Sequence, residues 1–124
     1  MAVLSYRELD VWKKAMDLVE GCYGLTQGFP KTENYGLSSQ LQRAAVSVPS
    51  NIAEGQAREH TGEFCQFLSI AQGSLAELET HIAIAERLGY AASHDCERLL
   101  SQASEVGRML VGLRKALKSR PAPR

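Results

Sequence analysis

Along almost the whole of this 124-residue chain, apolar residues recur at three- and four-residue intervals, and no stretch alternates apolar with polar as a half-buried strand would. A chain so patterned buries its apolar faces by packing helix on helix. The pattern is clearest around QLQRAAVSVPSNIAEG, residues 40–55, where Leu37, Leu41, Ala44, Val48 and Ile52 form one apolar stripe. Beside it runs a polar row of Gln40, Arg43, Ser47, Asn51 and Glu54. A polar row flanking a core seam implies either a hydrogen-bonded network or a contact surface that has to be specific. Pro49 lies in the middle and cannot donate a backbone hydrogen bond. The helix either kinks there or stops near Val46 and restarts with Ser47 as its cap; the unbroken phase of the apolar stripe favours a continuous, kinked helix.

Taken in order, residues 1–6 read as a short apolar lead-in, and the first helix is expected from Tyr6 to Gln27. It carries two adjacent stripes, Leu9–Trp12–Met16–Val19–Tyr23–Thr26 and Val11–Ala15–Leu18–Cys22–Leu25. Together they make an apolar face wider than one helix partner requires, which predicts an oligomer. Gly28-Phe29-Pro30 stops this helix. The second is expected from Thr32 to about Ala57, with Gly55 weakening its end. The third opens with Thr61 as N-cap and ends at Leu88-Gly89-Tyr90, its core stripe being Phe64, Phe67/Leu68, Ala71, Leu75, Leu78, Ile82 and Ala85. Gly73 lies inside it; a mid-helix glycine costs about 1 kcal/mol relative to alanine, which suggests close approach of another helix. The fourth begins at Ser93 and follows a nearly strict heptad through Cys96, Leu99, Ala103, Val106, Leu110, Leu113 and Leu117, and residues 119–124 read as a frayed tail. The expected fold is all-α: one domain over residues 1–124, an up-down-up-down four-helix bundle with a kinked second helix.

The chemistry-bearing residues are sparse. His60, His81 and His94 are the histidines, and Glu77–His81 is spaced at four rather than the three of a di-iron Glu-x-x-His pair. No P-loop, GxSxG or HExxH occurs. Cys22, Cys65 and Cys96 stand singly, which argues against a zinc site and for a reduced, cytoplasmic compartment. No cofactor and no enzyme activity are expected. The N-terminal MAVLSYRELD has no apolar run preceded by basic residues, and no apolar run approaches the roughly 20 residues of a membrane span, so neither a signal peptide nor a membrane partner is expected.

Lys+Arg and Asp+Glu number 14 each, which argues against a protein that chiefly coats nucleic acid. The charges are nevertheless segregated: five acids and no Lys or Arg between Glu59 and Glu86, six basic residues and no acid from Arg108 to Arg124. Arg108, Arg114, Lys115, Lys118 and Arg120 are therefore candidate nucleic-acid contacts, set against the plainer reading of cations placed at a helix C-terminus. A counterpart to the polar row of the second helix is read on the third as Gln66, Ser69, Gly73, Glu77 and Thr80. Arg43 is expected to be held by Glu77, or by Glu54.

SSQLQRAAVSVPSNIAEG followed by EFCQFLSIAQGSLAELET, together with LDVWKKAMDLV near the N-terminus, resembles the bacterial four-helix-bundle family that includes proteins encoded in ribosomal-RNA intervening sequences. The accessory variability determinants of diversity-generating retroelements are related to it. The resemblance implies a four-helix bundle assembled as a ring-like homopentamer, and little about activity. It implies a signature made of Gln40, Arg43, Ser47, Asn51 and Glu54 with Ser74, Glu77 and Glu79. The retroelement proteins are strongly basic and bind nucleic acid and reverse transcriptase; this chain departs from them in being neutral. Two functions follow as expectations: a non-catalytic oligomeric scaffold or interaction protein, or an RNA- or DNA-binding accessory protein using the basic end of the fourth helix.

Overall fold

The three-and-four spacing becomes four α-helices. The computed structural model describes residues 5–119. Within them run α1 (Asp10–Thr26), α2 (Leu37–Gln56), α3 (Thr61–Arg87) and α4 (Ser93–Lys118), with single 3-10 turns at Tyr6–Glu8 and Lys31–Glu33. Each helix packs on its neighbours in sequence, and α1 closes on α4, whereas the diagonal pairs do not approach. Joins as short as 57–60 and 88–92 reverse the chain each time, giving the antiparallel four-helix bundle.

The core is where the stripes place it. Val11, Ala15, Leu18 and Cys22 of α1 meet Leu41, Ala44, Val48 and Ile52 of α2, all buried. Leu68, Ala71, Leu75, Leu78, Ile82 and Ala85 come from α3, and Cys96, Leu99, Ala103, Val106, Leu110 and Leu117 from α4. The other stripe of α1 lies at the edge of this core: Thr26 is buried, Leu9, Trp12 and Val19 are half-buried against the core, and Met16 and Tyr23 are exposed. α2 runs without interruption through Pro49, so no second helix restarts at Ser47.

The ends differ from expectation for local reasons. α1 starts at Asp10 rather than Tyr6, because Leu9 is extended and Ser5 caps a separate turn, its hydroxyl accepting from Arg7 N at 3.1 Å. That turn brings the Tyr6 ring edge-on to Trp12 at 5.3 Å. α2 starts at Leu37 rather than Thr32, because Gly36 is non-helical and the Glu33 carboxylate caps the helix by accepting from Leu37 N at 3.0 Å. A Cβ on Gly36 would lie 2.6 Å from Glu33 Oε1, so the glycine makes room for that cap. His60, which is extended, occupies the cap position expected for Thr61, which is instead the first residue of α3; α4 begins at Ser93 as expected, with the extended Ala92 before it. α3 ends in a Schellman turn: Gly89 has φ 74°, Tyr90 N donates to Ala85 O and Gly89 N to Glu86 O.

Gly55 and Gly73 have exchanged the parts expected of them. Gly55 is buried, and a Cβ there would meet Phe67 Cβ at 2.6 Å, so it is the point where α2 and α3 come close. Gly73 is exposed, and beyond its own stretch of helix no described residue lies within 4 Å of a Cβ placed there.

Candidate functional site

The polar row of α2 splits into a half-buried, bonded middle and exposed ends. Ser47 and Asn51 are half-buried at the α2–α3 seam. Ser47 Oγ hydrogen-bonds Ser74 Oγ across it at 2.8 Å. Asn51 Nδ2 donates back to both Ser47 O (2.8 Å) and Ser47 Oγ (2.9 Å), tying the turns on either side of Pro49 to α3. Gln40, Arg43 and Glu54 are exposed. The counterpart on α3 is therefore Ser74; Gln66, Ser69, Gly73, Glu77 and Thr80 all face outward.

The expected Arg43 pairing within the chain does not form. Glu54 Oε2 accepts instead from Arg58 Nη2 at 3.3 Å, four residues on and just past the end of α2. Glu77 is exposed and, like Arg43, makes no ion pair among the described residues. The small residues Ala44 and Ala45 do admit a neighbouring helix, but they are buried while Arg43, beside them, points the other way. Glu79 stands apart from the rest of the signature, on the wall of a groove between α3 and α4 floored by Leu75 and flanked by Arg108.

The basic candidates do not converge on one spot. Arg108 Nη1 donates to Ser104 Oγ at 2.8 Å, and Arg114 reaches across to α3, its Nη1 donating to Gln72 Oε1. Lys115 and Lys118 are exposed in the last turn of α4, and Arg120 lies outside the described residues, as do 121–124 of the expected tail. Arg108, Lys115 and Lys118 share one exposed face; Arg114 is half-buried off it.

A second surface came only partly from the sequence. The outer stripe of α1 and the edge of α2 leave Met16 38%, Tyr23 41% and Val46 40% exposed. Between them lies a groove of about 290 Å³ lined by Tyr6, Trp12, Met16, Val19, Val46 and Pro49. A larger cleft beside it, of about 400 Å³, joins Tyr23 to Gln42, Arg43 and Ser47. Gln42 Nε2 donates to Thr26 Oγ1 at 3.0 Å, which pins α2 to the end of α1 alongside this surface. The doubled stripe of α1 signalled it; the contribution of Val46 and Pro49 did not show, because both fit a stripe facing the core equally well.

No group of three or more His, Cys, Asp or Glu gathers among the described residues. His81 is buried on α3 with no partner for its Nδ1 among the described residues, and His94 is exposed beside Asp95 at 3.2 Å. Burial pushes the Cys22 thiol up to about 12 and also raises that of Cys96, so neither favours a thiolate. No described helix is long and apolar enough to cross a membrane.

Residues 7–112 match the model of a family described as 23S rRNA-intervening sequence protein. No curated protein matches the chain. Among solved structures, a protein of unknown function from the S23 ribosomal protein family of Bacteroides thetaiotaomicron VPI-5482 superposes with a TM-score of 0.76. The alignment covers 85% of this chain and 98% of that one at 20% identity, a likeness of fold.

Proposed function

This chain belongs to the 23S rRNA-intervening sequence protein family, and from that membership we propose that it is a non-catalytic, self-associating helical bundle, a scaffold or interaction protein that works as an assembly. The observation that carries this is the α1–α2 face, where Met16 and Val46 stand exposed on an apolar groove and Tyr23 on the cleft beside it. A contiguous apolar surface rimmed by polar groups is characteristic of an interaction site rather than of solvated surface. The buried apolar stripe and the Ser47–Asn51–Ser74 bonds fix α2 against α3 behind this surface. A ring of five copies is the assembly that the sequence resemblance implies, in a cytoplasmic setting. Light scattering across a concentration series tests the reading: a mass that is a multiple of 13.6 kDa supports it, and a mass of 13.6 kDa at every concentration removes it.

A second reading, binding of RNA or DNA, is favoured by one observation: Arg108, Lys115 and Lys118 lie exposed along one face of α4. Three phosphate contacts would give a slope of log affinity against log salt of about −2 on single strands. Filter binding to structured RNA across a salt series, with Lys115→Ala and Lys118→Ala, tests it. Each substitution should make that slope shallower; an unchanged slope speaks against a basic site on α4.

A further inference from the structure

We propose that the α1–α2 face receives the outer face of α3 from the next copy of the chain, head to tail, with Arg43 of one copy paired to Glu77 of the next. This rests on the self-association reading and names its contact. The outer face of α3 carries Ile70 at 51% and Ile84 at 39% exposure, apolar side chains with no place in the bundle's own core. Between them, at helical spacing, stand Gly73, Ala76 and Ala83, all exposed.

Gly73 is the informative residue. At Gly21, Gly55 and Gly107 a Cβ would meet Leu99, Phe67 or Leu75, so each glycine serves a contact inside the chain. Gly73 serves none, although a glycine in mid-helix weakens the helix. A surface of small residues edged by isoleucines is shaped to take large side chains. The α1–α2 face offers those: Trp12, Met16 and Tyr23.

Charge selects the same arrangement. α2 carries one cation, Arg43, and α3 has none from Thr61 to Glu86. Arg43 and Glu77 are both exposed and both lack an ion pair among the described residues. Packing the α1–α2 face on itself would set Arg43 against Arg43, with Glu54 already engaged by Arg58. The head-to-tail contact sets Arg43 against an acidic surface instead. A contact between two different faces repeats from copy to copy and closes into a ring when its rotation allows.

The test is light scattering on the full chain, comparing wild type with Arg43→Glu, Glu77→Arg, an equimolar mixture of these two, and Gly73→Leu. Circular dichroism serves as the check on folding. The wild type assembles; each charge variant alone loses mass, because like charges then meet at every contact. Mixing restores mass, because alternating copies set opposite charges against each other at every contact, save one in a ring of five. Gly73→Leu, at an open and exposed site, keeps its helix content and loses assembly. If the wild type assembles but the single variants or Gly73→Leu keep its mass, this contact is wrong while self-association stands. If the single variants fall apart and mixing restores nothing, the pair acts within one chain and the proposal is equally overturned. A wild type at 13.6 kDa throughout removes both this contact and the reading on which it rests.

Discussion

Glu33 joins two loops 57 residues apart through a single carboxylate. One oxygen accepts from Leu37 N and caps α2; the other accepts from Tyr90 Oη at 3.0 Å, beside the Phe29–Tyr90 ring contact. The Leu37 N–H first, and the Tyr90 hydroxyl second, hold this carboxyl below its ordinary value of 4.5. The folded state therefore releases the Glu33 proton more readily than the unfolded one. Its contribution to stability is complete above about pH 4.5 and is lost as pH falls through the lower folded value. Urea melts should show wild type more stable than Glu33→Gln at pH 7, with the gap closing towards pH 3; a gap independent of pH would mean the charge is idle. The cysteines offer a second check at this scale. Cys22 and Cys96 are fully buried with raised thiol values, whereas Cys65 is half-buried. A thiol reagent in native buffer should label Cys65 quickly and the other two only in urea, and rapid labelling of all three would contradict the packing of α1 on α4.

Two glycines one helix apart predict opposite outcomes at the scale of the element. Gly55→Ala forces a methyl to within 2.6 Å of Phe67 Cβ and pushes α2 away from α3. Overpacking of that kind typically costs about 1–3 kcal/mol. Gly73→Ala adds a methyl that meets nothing in its own chain and, at concentrations where the chain is dissociated, should stabilise the helix by roughly 1 kcal/mol. Urea midpoints of the two variants moving in the same direction would mean that α2 and α3 are not closest at Gly55. Between these sites, Ser47→Ala removes the hydrogen bond to Ser74 and the Asn51 bond to Ser47 Oγ, leaving Asn51 its bond to Ser47 O. Each lost bond of this kind is worth about 1 kcal/mol net, so the loss should be modest and α2 should stay helical through Pro49.

For the molecule as a whole, the face between α1 and α2 separates folding from assembly. Val46 is 40% exposed, so Val46→Glu places a charge in the rim of the apolar groove without entering the core. Its helix content should match wild type while its mass by light scattering falls towards 13.6 kDa. Loss of helix would instead put Val46 in the core; an unchanged mass would put the assembly contact elsewhere. Salt provides an independent discriminator: apolar association persists when ionic strength rises, whereas contacts from Arg108, Lys115 and Lys118 to phosphate weaken steeply.

What the sequence determined by itself is the bundle and its inner faces. Leu41, Ala44, Val48 and Ile52, and the heptad from Cys96 to Leu117, are legible because helical periodicity is local: one helix's own geometry decides which residues share a face. The coupling of Ser47 to Ser74 was legible as a polar row beside a seam, though its partner on α3 was misplaced by one residue from Gly73. Tertiary structure alone decided the rest. Whether a glycine is a weak point or a contact depends on which helix lies against it, and no spacing within α2 or α3 carries that information. Glu33 reads as a first-turn acid; its second role required Tyr90, brought near by the α3–α4 turn. Arg43 shows the limit most clearly. Its sequence neighbours Ala44 and Ala45 imply a closely approaching helix, and one does approach, but a residue of helix turns the side chain by about 100° and leaves the guanidinium outside. Periodicity says which residues stand together; only the packing of all four helices says which of the resulting faces is left over.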